Sequence, residues 1–417
     1  MRTEPRRLRR TLDRIGVTSP LLEVAGETFT ASDDTITSVA ISHGGTSPSP
    51  GIQPSTCETV LQQALWMRTG QHLTVRLTSA AATSIANRTG GTVTPARIRD
   101  RFAGRIGAQD YDDQGDRFSI RLAAASWSAQ LGRLRDVKRW YNAGTPVNDV
   151  IRFLVATHPA LPQIDWISFG TGDWDVLATD QPEGTIDNLL DKVTGDVGVL
   201  VRDTRAGRLE AWPIAYRRGW ALQDLERNYP ITRSQAISPA KWSQPNENMP
   251  AKVAALWIEQ DGTEEHVSAG GTEDSIVERH DWRYLRDQGT DNMRVHWRAL
   301  VAQEWERVLR IPSITIDLLM LLGSDSSYHR GQAGLLLGLD AGDTIGLSGD
   351  WYNDLQGIHI VAGIDEQITG TSWTLTLSLV PWRLVFGEVS PNVPALVWES
   401  ATYPWADETR RWNMQEA

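Results

Sequence analysis

The pattern that most constrains this chain is an alternation. Across Trp373–Leu379, Leu375, Leu377 and Leu379 alternate with Thr374, Thr376 and Ser378, the period of a strand with one face buried and one wet. Thr35–Ile41 carries Ile36, Val39 and Ile41 in the same way, and Leu73, Val75 and Leu77 form a further period-two run. Phe102–Ile106 and Phe118–Leu122 read as a hairpin around the acidic, turn-rich stretch Gln109–Asp116. Short strands separated by such turns specify a mainly β chain, arranged as sandwiches or small barrels.

Helical signals interrupt this pattern. Trp127–Trp140 fits a short amphipathic helix, and Thr145-Pro146 reads as a cap followed by a first-turn proline, predicting a helix through Val155. Thr185–Val193 places Ile186, Leu189, Leu190 and Val193 on one stripe. Two strands follow at Val197–Arg202 and Leu209–Ile214, joined at Asp203–Gly207, so Trp140 to Ile214 reads as a small α/β unit. Strands resume between Thr232 and Ile258. Asn292–Leu309 is the longest helical pattern, stopped by Pro312, and strands return at Ile314–Leu319, Thr344–Leu347 and Ile358–Ile364. The loop Gly44–Pro54, with three glycines and three prolines, reads as irregular. No repeat of fixed period is present.

Composition narrows the function classes. A chain of 417 residues implies two to four domains. Apolar residues make up 40% and charged residues 22%, a globular composition. Apolar runs fall short of a bilayer span; the longest, Ile314–Leu322, is broken by Thr315 and Asp317. No apolar segment follows the basic N-terminus, so a cleaved secretion signal is not expected. The net charge of −11 argues against a general nucleic-acid binder. Against it stands a local arginine cluster at Arg2, Arg6, Arg7, Arg9, Arg10 and Arg14, readable as an arm that docks on an acidic neighbour or as a solvated terminus. The 18 tryptophans, spread from Trp66 to Trp412, suit cores and protein–protein interfaces.

Chemistry is hard to find. The single cysteine, Cys57, excludes an internal disulfide framework and reads as a small apolar strand residue. No two of the eight histidines have metal-helix spacing, and His280 and His296 are too far apart to form a motif. Phosphate loops, nucleophile elbows and dinucleotide fingerprints are absent; Gly90-Gly91 and Gly270-Gly271 read as turns. Asp110, Asp112, Asp113 and Asp116 supply oxygen ligands for calcium, but without EF-hand spacing or its terminal Glu. They, Glu264-Glu265 and Glu273-Asp274 are the carboxylates a glycosidase could use, yet consecutive acids on turns are mostly solvated. Trp282 and Trp351 are the tryptophans a sugar-binding adhesin could expose. The expectation is no catalytic residue, no cofactor and no metal.

The C-terminal block carries the most specific pattern. Leu337-Gly-Leu-Asp-Ala-Gly-Asp-Thr-Ile-Gly-Leu347, Gly357-Ile-His-Ile-Val-Ala-Gly-Ile364 and Ile368–Leu379 with the following Val-Pro-Trp resemble the last barrel of bacteriophage tail hub proteins, those of siphophage tail tips and of contractile-tail baseplates. The upstream order, Ile36–Ile41, then Phe102-Ala-Gly-Arg-Ile106, Phe118–Leu122, the Thr145 helix and the Leu189-Leu190 helix, is similar too. Asp224–Trp242, with Ile231-Thr-Arg-Ser-Gln235, resembles the opening of the second barrel in minor tail proteins from phages of GC-rich Gram-positive hosts. The lysine count, only Lys138, Lys192, Lys241 and Lys252, fits GC-rich coding.

The resemblance implies two tail-tube-like β-barrels plus a small α/β unit. The expected division is a basic arm (1–27), a first barrel (28–139), an α/β unit and connector (140–231), a second barrel (232–390) with helix 292–309 beside it, and a Trp-containing tail (391–417). It also implies a structural virion protein without catalysis, located at the tail tip and assembled in the host cytoplasm. Three copies would form a hub whose barrel edges are completed by neighbours. Implied partners are the tail tube, the distal tail protein, the tape measure and receptor-binding, fibre or puncturing components, with DNA passing through the lumen unrecognised. The alternatives are a hexameric distal adaptor, a cell-wall glycan binder and a peptidoglycan-cleaving enzyme.

Overall fold

The computed structural model describes residues 21–29, 36–45, 51–62, 67–113, 118–134, 199–213, 228–237, 310–351, 355–369 and 371–381, together with shorter stretches at 140–141, 145–146, 149–150, 153–154, 166–168, 175–176, 179–180, 184–190, 252–258, 264–270 and 277–286. The chain opens with β1 (Leu22–Val24), β2 (Glu27–Phe29), β3 (Ile36–Gly44), β4 (Gly51–Gln53), β5 (Thr56–Leu61) and β6 (His72–Leu77). Two helices, α1 (Ser79–Arg88) and α2 (Pro95–Arg99), precede the hairpin β7 (Asp100–Asp113) and β8 (Phe118–Ala125), and α3 (Ser128–Leu131) follows it. Five short strands come next: β9 (Trp140–Tyr141), β10 (Thr145–Pro146), β11 (Trp166–Ser168), β12 (Asp175–Val176) and β13 (Thr179–Asp180). They lead to β14 (Val199–Asp203) and β15 (Leu209–Pro213), then to β16 (Lys252–Ile258), β17 (Glu264–Gly270) and β18 (Val277–Arg286). The C-terminal block is β19 (Ser313–Asp317), α4 (Leu318–Leu322), α5 (Ser327–Leu337), β20 (Thr344–Leu347), β21 (Gly357–Thr369) and β22 (Trp373–Pro381).

The expected mainly β class is what the chain adopts. A large antiparallel sheet curls into a half-barrel, in the order β19-β22-β21-β3-β5-β8-β7-β6-β1-β2, with β20 on β21. Its seam is the pairing of β3 with β21, from Gly44 opposite Gly363 to Ser38 opposite Thr369. Strands from the two ends of the sequence thus share one sheet. Strands β10, β12, β18, β16 and β17 form a second sheet, and β11, β15, β14 and β4 a third.

The alternation read from the sequence decides the buried face. Leu375, Leu377 and Leu379 on β22, Ile314 and Ile316 on β19, and Leu73, Val75 and Leu77 on β6 are all buried. They join one core with Ala81, Ala82, Ile85 and Ala86 of α1 and with Leu318, Leu319, Leu321 and Leu322 of α4. Cys57 lies buried on β5, as a small apolar strand residue should. Gly90 and Gly91 both have positive φ, 74° and 77°, consistent with the turn assigned to them.

Several local expectations are corrected. Thr145-Pro146 does not open a helix; it forms β10, paired with Val176 and Asp175, and the described helical residues of this stretch are 149–150 and 153–154. β10 ends its sheet, where a missing proline N–H costs no ladder bond. The described helix after Trp127 is only Ser128–Leu131, stopped at Gly132, and Trp140 belongs to a strand. Residues 51–53 of the glycine- and proline-rich loop form β4, parallel to β14; a partner strand supplies the order the local sequence lacks. Ile314–Leu319 is a strand only as far as Asp317, whose carboxylate accepts from the N–H groups of Leu319 (2.9 Å) and Met320 (3.1 Å) and so starts α4. The helices α1, α2, α4 and α5 interrupt stretches read as continuous β. Ile231–Gln235 is not a strand: bridges from Ile231 to Leu347 and from Ala236 to Ile316 flank a 3-10 turn at Arg233–Gln235. The expected helix 292–309 lies outside the described residues, as do residues 1–20 of the expected basic arm and everything after 381, while Leu22–Val24 of that arm form β1, paired with β6.

Candidate functional site

The described feature with the most concentrated chemistry is a buried charge network where four distant segments meet. Arg101 stands at the start of β7, positioned by the Thr94–Pro95 entry into α2. Its side chain is 0% exposed and that of Glu366, on β21, is 1% exposed. Arg101 Nε and Nη2 donate to Glu366 Oε2 at 2.9 and 2.6 Å, and Trp373 Nε1 donates to Glu366 Oε1 at 2.8 Å. Burial pushes the Glu366 carboxyl up, but Arg101, Arg205 and these donors outweigh it and hold it below the usual range.

The loop between α5 and β20 is wrapped by arginines. Arg101 Nη1 donates to Leu337 O at 2.8 Å, Arg205 Nη1 to the same oxygen at 2.6 Å, and Arg97 Nε to Gly338 O at 2.9 Å. Arg205 also donates to Leu339 O and Arg202 to Ala341 O. Carbonyls that end a helix carry partial negative charge and lack partners within it, so guanidinium groups satisfy both needs. Asp340 lies 3.6 Å from Arg202 Nη2 and 3.4 Å from Arg205 Nε. Burial alone would raise its carboxyl; Arg202, Arg205 and Arg97 reverse the sign and lower it. Asp343, which accepts from the Asp340 N–H at 2.7 Å, is pushed up to about 7 by burial and by the Asp340 charge.

A serine–histidine cluster adjoins this loop. His43 Nε2 lies 2.9 Å from Arg101 O, a carbonyl that can only accept, so Nε2 carries the proton. Nδ1 then accepts from the Ser55 hydroxyl at 2.7 Å. Burial, followed by the Arg205 charge, lowers His43 to about 4, which keeps the ring neutral. Ser55 N–H donates to Ser126 Oγ at 2.9 Å. Ser126 in turn donates to Asp203 Oδ2 at 2.5 Å, and the Ser128 N–H and hydroxyl donate to the same carboxylate. Burial raises Asp203, against the pull of these serine bonds. His43 and Ser55 are both buried, so this pair holds strands together and does not present a nucleophile to solvent.

Of the carboxylates singled out from the sequence, the two whose side chains are described take no part in this network. Asp110 and Asp112 are exposed at the end of β7. Asp116, Glu273 and Asp274 lie outside the described residues. Among the described residues no group of three His, Cys, Asp or Glu side chains is placed to hold a metal ion. No described helix is long and apolar enough to cross a membrane. Trp351 is buried and donates to Ile231 O at 2.9 Å, so it offers no face to a sugar. The sequence reading missed the network itself, because Arg101, Arg202 and Arg205 look like ordinary surface arginines. One signal was available: Glu366 falls midway between Ile364 and Ile368 at strand spacing, where a third apolar residue would be expected.

No protein-family model matches the chain, and no curated protein matches it in sequence. Solved structures do match in fold. The tail protein from Neisseria meningitidis MC58 aligns with a TM-score of 0.56 at 12% identity, covering 88% of this chain and 97% of that one. The 43 kDa tail protein of prophage MuSo2 from Shewanella oneidensis aligns with a TM-score of 0.53 at 12% identity, covering 87% and 97%. The fold is that of phage tail proteins, the class to which the C-terminal pattern pointed.

Proposed function

We propose that this chain is a structural protein of a phage tail, a hub at the distal tip that joins the tube and distal tail protein to receptor-binding or puncturing components. The observation that carries this reading is the fold likeness, which spans nearly the whole of both tail proteins and most of this chain. The buried network supports it, because its charges bind segments of the chain to one another. In this reading residues 28–139 and 232–390 supply two tube-like units, meeting at the β3–β21 seam, and 140–231 lies beside them. Three copies then present six such units to a sixfold tube.

Native mass spectrometry of the purified chain, with a reconstruction of the tail tip, tests the proposal. Three copies per ring at the tip are expected. Six copies would favour a distal adaptor, and absence from the particle would end the reading. Zymography on host cell walls tests the enzymatic alternative; clearing that is lost with Asp112→Asn would establish it.

A further inference from the structure

The tip of the β14–β15 hairpin, between the buried Val201 and Leu209, carries three buried charges. Arg202, Asp203 and Arg205 are buried at 3%, 5% and 6% exposure, and they reach two anchors. Asp203 plugs into Ser126 and Ser128 at the end of β8. Arg202 and Arg205 grip the 337–341 carbonyls and Asp340. Gly207, at φ 80°, lets the turn lie so close to β7 that a Cβ there would sit 2.8 Å from that of Ala103. The hairpin belongs to the third sheet, with β4 and β11. Its tip therefore fastens that sheet onto the half-barrel and the C-terminal block, to which the sheet is also joined through β4, two residues before β5.

We propose that the hairpin tip is a charge-seated latch, held shut by the Asp340 carboxylate between Arg202 and Arg205, and able to release while the half-barrel stays folded. The groups that face Asp340 are Arg202 and Arg205 from the hairpin, Arg97 from α2, His43 from β3 and Asp343 from its own loop. Four are cationic or can become so, and Asp340 is the carboxylate that neutralises them from the loop side. Removing its charge takes away the carboxylate paired with Arg205 at 3.4 Å and one of the two beside Arg202, whose other partner is Glu210 at 2.9 Å, and an under-neutralised buried charge is costly. Strand pairings within the half-barrel do not depend on the tip, so release need not propagate into it.

Hydrogen exchange followed by mass spectrometry on the full chain tests this. In Asp340→Asn, peptides covering 199–213 and 337–343 are expected to exchange about tenfold faster or more, while β21 and β22 keep their protection. Unchanged hairpin protection, or loss of hairpin and half-barrel together, would overturn the proposal. Should Asp340→Asn fail to fold, wild-type protein in sub-denaturing urea gives the same answer. The hairpin tip must then open at a lower urea concentration than β21–β22; opening of both at one concentration refutes the latch.

Discussion

Two buried regions of this protein are built from opposite materials. Behind β19, β21 and β22 the half-barrel packs Leu375, Leu377, Ile316 and Trp373 against the leucines of α4 and α5. A short distance along β21, at Glu366, the filling becomes arginine, aspartate, histidine and serine. The apolar part is stabilised by area removed from water, is non-directional and tolerates approximate fit. The charged part depends on each partner: a complete set is close to neutral in energy, while a broken one is severely destabilising. The first region makes the chain fold; the second fixes which segments meet.

The largest effect should come from breaking that set. Glu366→Ala removes the partner of Arg101 and of the Trp373 N–H, and is expected to lower stability by about 3–5 kcal/mol, read from the urea midpoint. Replacing the pair together, Arg101→Met with Glu366→Leu, should recover most of that loss. If the double variant is as unstable as the single one, the ion pair is not the unit that matters. In the apolar region Leu375→Ala is expected to cost about 2–5 kcal/mol, with no rescue from any charged partner.

Acid titration sharpens the contrast further. Asp343 is raised from 3.8 to about 7 in the fold. Its contribution is fully present below the unfolded value and is lost as pH rises towards 7. His43 is lowered from 6.5 to about 4. Its contribution is fully present above 6.5 and is lost as pH falls towards 4. The two therefore oppose one another between about pH 4 and 6.5, each by roughly 3 kcal/mol. Asp343→Asn should make stability fall steeply on acidification through that window, and His43→Gln should make it rise. Parallel pH profiles for the two variants would refute the assignment.

The smallest effect belongs to a charge pair outside the network. Arg121 and Glu58 pair across β8 and β5 with side chains 58% and 44% exposed. Arg121→Ala should change stability by less than about 1 kcal/mol and by less still in high salt. A loss comparable to that of Glu366→Ala would mean that burial is not what separates the two kinds of pair.

Much of the half-barrel was legible from local pattern. Leu375–Leu379, Leu73–Leu77 and Phe118–Leu122 alternate as half-buried strands must, and the structure places them so, whereas Phe102 and Ala103 of β7 are buried on both faces. Thr145-Pro146 misled because the same dipeptide suits a helix start and an edge strand, and only the pairing with β12 separates them. The network was invisible for a different reason. Asp203-Thr204-Arg205-Ala206-Gly207 reads as a solvated turn, and nothing nearby reveals that its charges meet the carbonyls of Leu337 and Leu339 more than a hundred positions later.

The sequence by itself determined the strand-rich class and the buried face of its alternating strands, because side-chain periodicity and turn residues act over a few positions. Tertiary structure alone decided that β3 pairs with β21, that residues 51–53 become a strand, and that Arg101, Arg202 and Arg205 go inside. Those outcomes depend on partners distant in the chain, and an arginine is stable in the interior only where acids and carbonyls converge to receive it.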